Sequence, residues 1–155
     1  MIDHEITNYH PADQQALTEF FRIVLAAMGY DFDLNSKDKD LRNISSEYQI
    51  NGGIFLLARR GGRLVGTIAL RQIAEGICEL KRFYVLPQEQ RKGIGTGLLN
   101  QVIDHARAGQ WSSLRLDTSF GSPTAIALFK KYGFVEIERY NNDPFAQIFM
   151  ELKLK

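Results

Sequence analysis

The chain has 155 residues, 45% of them hydrophobic and 24% charged, the balance of a folded globular chain with room for one domain spanning 1–155. Nineteen basic and 18 acidic residues leave a formal charge of +1, which gives no electrostatic ground for nucleic acid or an anionic membrane as partner. One cysteine, Cys78, forms no internal disulfide. There is no CxxC or Cys/His cluster for a metal, no apolar run of transmembrane length and no signal-peptide pattern at the start, so the expected address is cytoplasmic.

Ile2–Tyr9 reads as a short edge strand. His10-Pro11-Ala12-Asp13 then opens a helix, with proline in the first turn where its missing N–H does no harm. Leu17, Phe20, Phe21, Val24 and Met28 recur at helical spacing, and Gly29 ends that helix. The charged segment Asp31–Asp40 reads as a solvated loop or an attractor for a cationic amine, with a short second helix near Leu41 and Ile44. Ile54–Ala58, Leu64–Leu70 and Ile77–Leu86 form an antiparallel meander, turned at Gly61-Gly62 and at Ala74-Glu75-Gly76. Ile94, Leu98, Val102 and Ala106 fall four apart, the stripe of a helix packed on a sheet. Leu114–Thr118 is a strand, Pro123–Tyr132 a helix, and Phe134–Tyr140 and Phe145–Leu154 the last strands. This order predicts an α/β (α+β) fold with a mixed sheet.

The informative stretch is Tyr84–Leu99, where a strand runs through a glycine-rich turn into a helix. Amide N–H groups at a helix start are unpaired and, with the helix dipole, make an anion site. Gly93, Gly95 and Gly97 remove side chains that would hold a phosphate away from the backbone. Three such glycines cost roughly 1 kcal/mol each relative to alanine, more than a plain loop warrants. Arg91 and Lys92 add positive charge. The spacing is neither a P-loop nor a Rossmann fingerprint.

Gln90-Arg91-Lys92-Gly93-Ile94-Gly95, following Val85-Leu86-Pro87, resembles the [Q/R]-x-x-G-x-[G/A] acetyl-CoA site of the GNAT superfamily of N-acetyltransferases. Ser122–Phe134 is similar to that family's N-x-x-A-x-x-L-Y-x-x-x-G-F helix and turn. The close resemblance covers roughly 54–155. It implies a GNAT-like, mostly antiparallel central sheet with helices on both faces, and acetyl-CoA as co-substrate with no metal. It implies that the amides from Arg91 through Lys92, Gly93, Ile94 and Gly95 to Thr96 hold the pyrophosphate, with Gln90 and Gly97 completing the turn. The backbone of Phe83, Tyr84 and Val85 would pair with the pantetheine arm, where that strand and Leu114–Thr118 splay apart. The Val85 amide would polarise the thioester carbonyl.

Two positions depart from the family pattern. Ser122 stands for the asparagine that helps hold pantetheine. Phe129 stands for the tyrosine that assists the departing thiolate, so Tyr132, one helical turn on, becomes a candidate acid, with Tyr84 and Tyr140 as other phenols. Glu79, on the pantetheine strand, is the candidate base; its bland alternative is an exposed pairing with Lys81 or Arg82. Arg71 and Arg82 are arginines of the kind that grip a carboxylate. Asp117 is a strand-end acid that either touches substrate or caps a turn, and the Tyr140–Pro144 turn is a border of an acceptor pocket. His4, His10 and His105 read as surface residues, Trp111 as packing and Cys78 as core.

The resemblance implies acetyl transfer to a primary amine of a small metabolite or amino-acid-like acceptor, within a ternary complex. The alternatives are a CoA-binding or CoA-sensing module without turnover, which Phe129 motivates, and a protein or peptide N-acetyltransferase. Membership would also admit a homodimer.

Overall fold

A computed structural model describes residues 3–155 of the chain. Its centre is a seven-stranded sheet in the order β1-β2-β3-β4-β5-β7-β6. The strands are β1 (Glu5–Asn8), β2 (Ile54–Arg60), β3 (Arg63–Ala74), β4 (Ile77–Val85), β5 (Ser113–Thr118), β6 (Val135–Ile137) and β7 (Ile148–Lys153). Every neighbouring pair is antiparallel except β4 and β5, which run parallel. The expected edge strand Ile2–Tyr9 is the shorter β1, and Ile2 itself lies outside the described residues.

Helices cover both faces, because the apolar stripes of the sequence have two faces to bury. Helix α1 (Gln14–Ala27) follows a single 3-10 turn at Pro11–Asp13. It lays Phe21 against Phe55 of β2 and Tyr84 of β4, and the short α2 (Ile44–Tyr48) sets Tyr48 edge-on to the same Phe55 at 5.2 Å. The opposite face carries α3 (Ile94–Ala108) and α4 (Pro123–Lys131). A Cβ on Gly66 of β3 would stand 3.1 Å from Leu98 and 3.2 Å from Ile94, so glycine there lets α3 lie close to the sheet. The Phe129 ring of α4 packs 5.9 Å from Phe83 on that face.

The last two strands are shorter than the alternation in the sequence suggests. Phe134–Tyr140 contributes only β6, and Phe145–Leu154 begins pairing at Ile148. Between them the polar groups are spent locally. The Arg139 guanidinium donates to the carbonyls of Asn141, Asp143 and Ala146, and Asp143 Oδ1 accepts the Phe145 N–H at 2.8 Å. Backbone committed to side chains in this way does not extend a ladder.

Two features of β4 shape the site. First, β4 and β5 pair only from Ile77 to Glu79, against Ser113 to Arg115, and beyond that point no pairing joins them. Second, β4 bulges: Thr67 faces Tyr84 and Ala69 faces Lys81, so the single residue Ile68 stands opposite both Arg82 and Phe83. Arg82 takes the bulge with a left-handed φ of 53°, an unusual conformation for a side chain of that size.

Candidate active site

A cleft of about 700 Å³ lies where β4 and β5 part. Lys81–Tyr84 of β4 form one wall and Leu116–Ser119 the other. Ser122 and Phe129 reach it from α4, and Leu25, Met28 and Tyr30 from the end of α1. The loop before β7 closes it with Asp143 to Ala146. Tyr30 and Phe145 meet edge to face at 6.2 Å across its far side. The alternation of strand side chains divides the cleft between the two faces of the sheet. Phe83 and Phe129 belong to the face of α3 and α4, whereas Lys81, Tyr84 and Asp117 belong to the face of α1 and α2.

On the first face, the turn from Gln90 to Gly97 delivers α3 to the mouth of the opening. Arg91 and Gly93 both have left-handed φ, 64° and 85°, which folds the turn into a concave run of amides. The first helical amide to find a partner there is Gly97, donating to the Gly93 carbonyl at 3.0 Å. The amides of Ile94, Gly95 and Thr96 precede it and are the unpaired donors of a helix start. A Cβ on Gly93 would meet nothing within 4 Å, so glycine there answers to conformation and leaves the approach open. Gly97 has an inward reason, since its Cβ would lie 3.2 Å from His4 Nε2, whereas one on Gly95 would make ordinary contact with the Phe83 ring at 3.4 Å. Lys92 pairs with Glu89, which Arg60 also holds.

The Val85 amide points into the gap. Leu86 N donates to Val65 O at 2.9 Å, and in an antiparallel ladder the adjacent residue then turns away from that partner. The Val85 carbonyl agrees, because the Gln90 side chain, and not β3, donates to it at 3.2 Å. Tyr84 sits against Phe21, and burial holds its phenol above the ordinary range. Phe129 is 3% exposed between Phe83 and Phe134 and brings no hydroxyl to the cleft. Tyr132 is not among the cleft walls; its hydroxyl donates to Asn100 of α3 at 2.7 Å.

On the other face, Glu79 is 2% exposed and both its oxygens are occupied. Oε1 accepts from Arg71 at 3.2 Å and 3.3 Å, and Oε2 accepts from the Tyr140 hydroxyl at 2.7 Å. Burial, with the Glu79 charge beside it, pushes the Tyr140 phenol far up, so it stays a neutral donor. Arg71 also stacks over Tyr48, and Arg115 stacks over Tyr140. Glu79 thus pairs neither with Lys81 nor with Arg82, and it sits inside rather than on an exposed face.

Arg82 is likewise committed. It bonds Asp38 at 3.0 Å and Asp40 at 2.6 Å, so two acids of the loop after α1 are structural partners and not a solvated run. Asp117 Oδ2 accepts from the Asn141 side-chain amide at 2.7 Å. Neither Lys81 nor Asp117 forms a salt bridge among the described residues. Thr67 and Lys81 are contributors that motif reading passed over, and Asn141 belongs to the Tyr140–Pro144 turn expected at the border of the pocket. Lys81 had a signal in its alternation with Glu79; Thr67 acts through Arg82, a partner distant in sequence. His105 Nε2 lies 2.7 Å from Gly52 O, outside the cleft. Among the described residues no helix is long and apolar enough to cross a membrane, and no group of three or more His, Cys, Asp or Glu side chains is placed to hold a metal.

Residues 17–134 match the model of the acetyltransferase (GNAT) family. The chain is 31% identical over 146 residues to an uncharacterized N-acetyltransferase of Schizosaccharomyces pombe, covering 90% of each. It is 40% identical over 104 residues to an IAA acetyltransferase of Azospirillum brasilense, covering 64% of this chain and 67% of that one. A crystal structure of a GNAT acetyltransferase from Staphylococcus aureus superposes with a TM-score of 0.89 at 26% identity, over 98% of this chain and 99% of that one.

Proposed function

This chain belongs to the GNAT acetyltransferase family, and from that premise we propose that it moves the acetyl group of acetyl-CoA to a primary amine of a small acceptor by direct attack within a ternary complex. The observation that carries the reading is the alignment of the unpaired amides of Ile94, Gly95 and Thr96 with the unpaired edge of β4 beyond Glu79. The helix start suits a pyrophosphate, and Arg91 and Lys92 add charge beside it. The open β4 edge at Phe83, Tyr84 and Val85 suits an extended amide-bearing arm that adds as a strand. Acetyl-CoA supplies an activated thioester carbonyl and a thiolate leaving group.

Each wall then has a task. The Val85 amide faces the gap and donates to the carbonyl oxygen as negative charge develops there. Ser122 and Phe129 line the arm from α4. The acceptor comes from the α1 and α2 face, past Met28, Tyr30 and Phe145, and meets the acetyl group where the sheet opens. Holding both reactants there supplies much of the rate, since positioning alone is worth roughly 7–11 kcal/mol in favourable cases. With phenylalanine at 129, the sulfur leaves as thiolate and takes its proton from the reaction itself or from solvent.

The test is incubation with acetyl-CoA and a panel of small amines, reading free CoA thiol and acetylated product together. Thiol release that depends on the amine, with a matching acetylated product, is the expected outcome. Tight CoA binding with no acceptor-dependent thiol would replace this reading with a CoA-binding module. Mass gain on peptides alone would redirect it to a polypeptide acceptor.

A further inference from the structure

We propose that Asp117 is the proton acceptor for the incoming amine, and that Glu79 is a positioning residue behind it. This rests on the acetyltransferase reading above and names the group that prepares its nucleophile.

An amine at neutral pH is protonated and has no lone pair to attack with. The group that deprotonates it must reach the cleft and must have a free oxygen. Glu79 fails on both counts. It is absent from the cleft walls, and Arg71 and Tyr140 occupy its two oxygens. Asp117 meets both. It lines the cleft at the end of β5, and its one hydrogen bond, from Asn141, is on Oδ2, which leaves Oδ1 free among the described residues. It lies two residues beyond Arg115, the last residue of β5 paired with β4, so it stands at the point where the strands part. It also projects on the face from which the acceptor arrives, alternating with Arg115.

The surroundings suit the task. Burial raises the Asp117 carboxyl above the usual aspartate value, and the charges of Glu79 and Asp143 push the same way. The Lys81 ammonium and the Asn141 amide oppose them without cancelling the rise. Arg115 on the same strand is taken up by Glu151. A carboxylate moved toward neutrality is a better-matched base for an ammonium than an exposed one.

The step balances. Asp117 takes one proton from the acceptor ammonium. The freed nitrogen pair forms the C–N bond to the acetyl carbon, the C–S bond breaks, and its electron pair leaves on sulfur. The nitrogen's second proton passes to that sulfur, and Asp117 returns its own proton to water. Glu79 does not exchange protons; it holds Tyr140, whose neighbour Asn141 fixes Asp117.

The test compares wild type, Asp117→Asn and Glu79→Gln on two acceptor classes. One class is alkylamines, protonated at the assay pH; the other is hydroxylamine and arylamines, already neutral. Asp117→Asn is expected to lower kcat on alkylamines by about 10²–10⁴-fold. It should replace the acid limb set by the carboxylate with one that climbs toward the alkylamine's own pKa, and spare both the neutral acceptors and the thermal shift with acetyl-CoA. Glu79→Gln is expected to reduce rate while keeping the acid limb. Equal loss on both acceptor classes, or a pH profile unchanged in Asp117→Asn, overturns the assignment. So does loss of the limb in Glu79→Gln alone. If wild type transfers to neither class, the acetyltransferase reading itself falls, and the role of Asp117 with it.

Discussion

The Thr67 hydroxyl donates to the Arg82 carbonyl at 2.8 Å. Thr67 is fully buried on β3, and Arg82 is the left-handed residue of the β4 bulge. At a bulge the ladder leaves a carbonyl without its usual partner, and this hydroxyl supplies one. The bulge is what separates the side-chain alternation of Glu79 and Lys81 from that of Phe83 and Val85. Thr67→Val removes the donor while keeping the shape, and is expected to destabilise by about 1–3 kcal/mol. Thr67→Ser should recover most of that loss in a urea titration. Equal stability of the valine and serine variants would mean that the carbonyl does not need the bond.

Arg82 fastens the bulge to the loop after α1. Replacing it with methionine removes one charged partner from the buried Asp38, which keeps Lys37 at 2.8 Å, and is expected to destabilise by about 1–3 kcal/mol. The pH dependence has a definite sign. Burial pushes the Asp40 carboxyl up, but the Arg82 hydrogen bond and charge, with the Tyr48 hydroxyl, outweigh it and hold it below the ordinary carboxylate value. A lowered folded value means the stabilisation is complete above the unfolded value of about 3.9. It is lost as pH falls through the folded value. Arg82→Met should therefore lose stability at pH 7 and show a weaker fall between about pH 4 and pH 2 than wild type. Circular dichroism during acid titration checks this.

Gly93→Ala places a Cβ at a φ of 85° with no atom to strike. The penalty is conformational, about 1–2 kcal/mol, and relaxing it distorts the amide run. The expected outcome is weaker binding of acetyl-CoA in calorimetry. Gly97→Ala instead meets His4 Nε2 at 3.2 Å and should change stability more than affinity. The reverse ordering would contradict the role given to the Gly93 turn.

Tyr132→Phe removes a hydroxyl bonded to Asn100 and remote from the cleft walls. Transfer rate should stay well inside the roughly 10²–10⁴-fold that loss of a general acid costs. A loss of that size in kcat would give Tyr132 the thiolate-protonating task that Phe129 lacks.

Cys78 is fully buried in β4, and burial pushes its thiol up to about 12. It should react with a thiol reagent only on unfolding, leaving released CoA as the sole rapid signal in an activity assay. Rapid labelling of the native protein would show that β4 opens locally.

The glycine turn and the α3 stripe were legible because both are local. The spacing of Ile94, Leu98, Val102 and Ala106 alone sets a buried face, and all four are buried. The hairpin at Gly61 and Gly62 was legible for the same reason, and both have left-handed φ. The short β6 was not. Phe134–Tyr140 looks like a strand until Arg139 is seen to gather carbonyls from the following loop. The purpose of Gly97 was hidden too, since it fits His4, far away in sequence. The pairing of Asp38 and Asp40 was not legible, because a charge run declares nothing about a partner more than forty positions away, and Arg82 bonds them at separations of 44 and 42. The occupied state of Glu79 depends on Tyr140, 61 positions on. Motif spacing locates a residue on a strand; only the fold shows which of its atoms are free.

The measurement that bears most directly on the whole account is a thermal melt with acetyl-CoA, CoA, ATP and NAD, each at matched high concentration. A ligand at 100 times its Kd adds about 2.7 kcal/mol. For a chain of this size that raises Tm by roughly 5–11 °C. The account predicts such a rise with acetyl-CoA and CoA and none of that size with ATP or NAD. An unshifted melt of a folded sample with both CoA forms would mean that the turn from Gln90 to Gly97 is only a connection between β4 and α3.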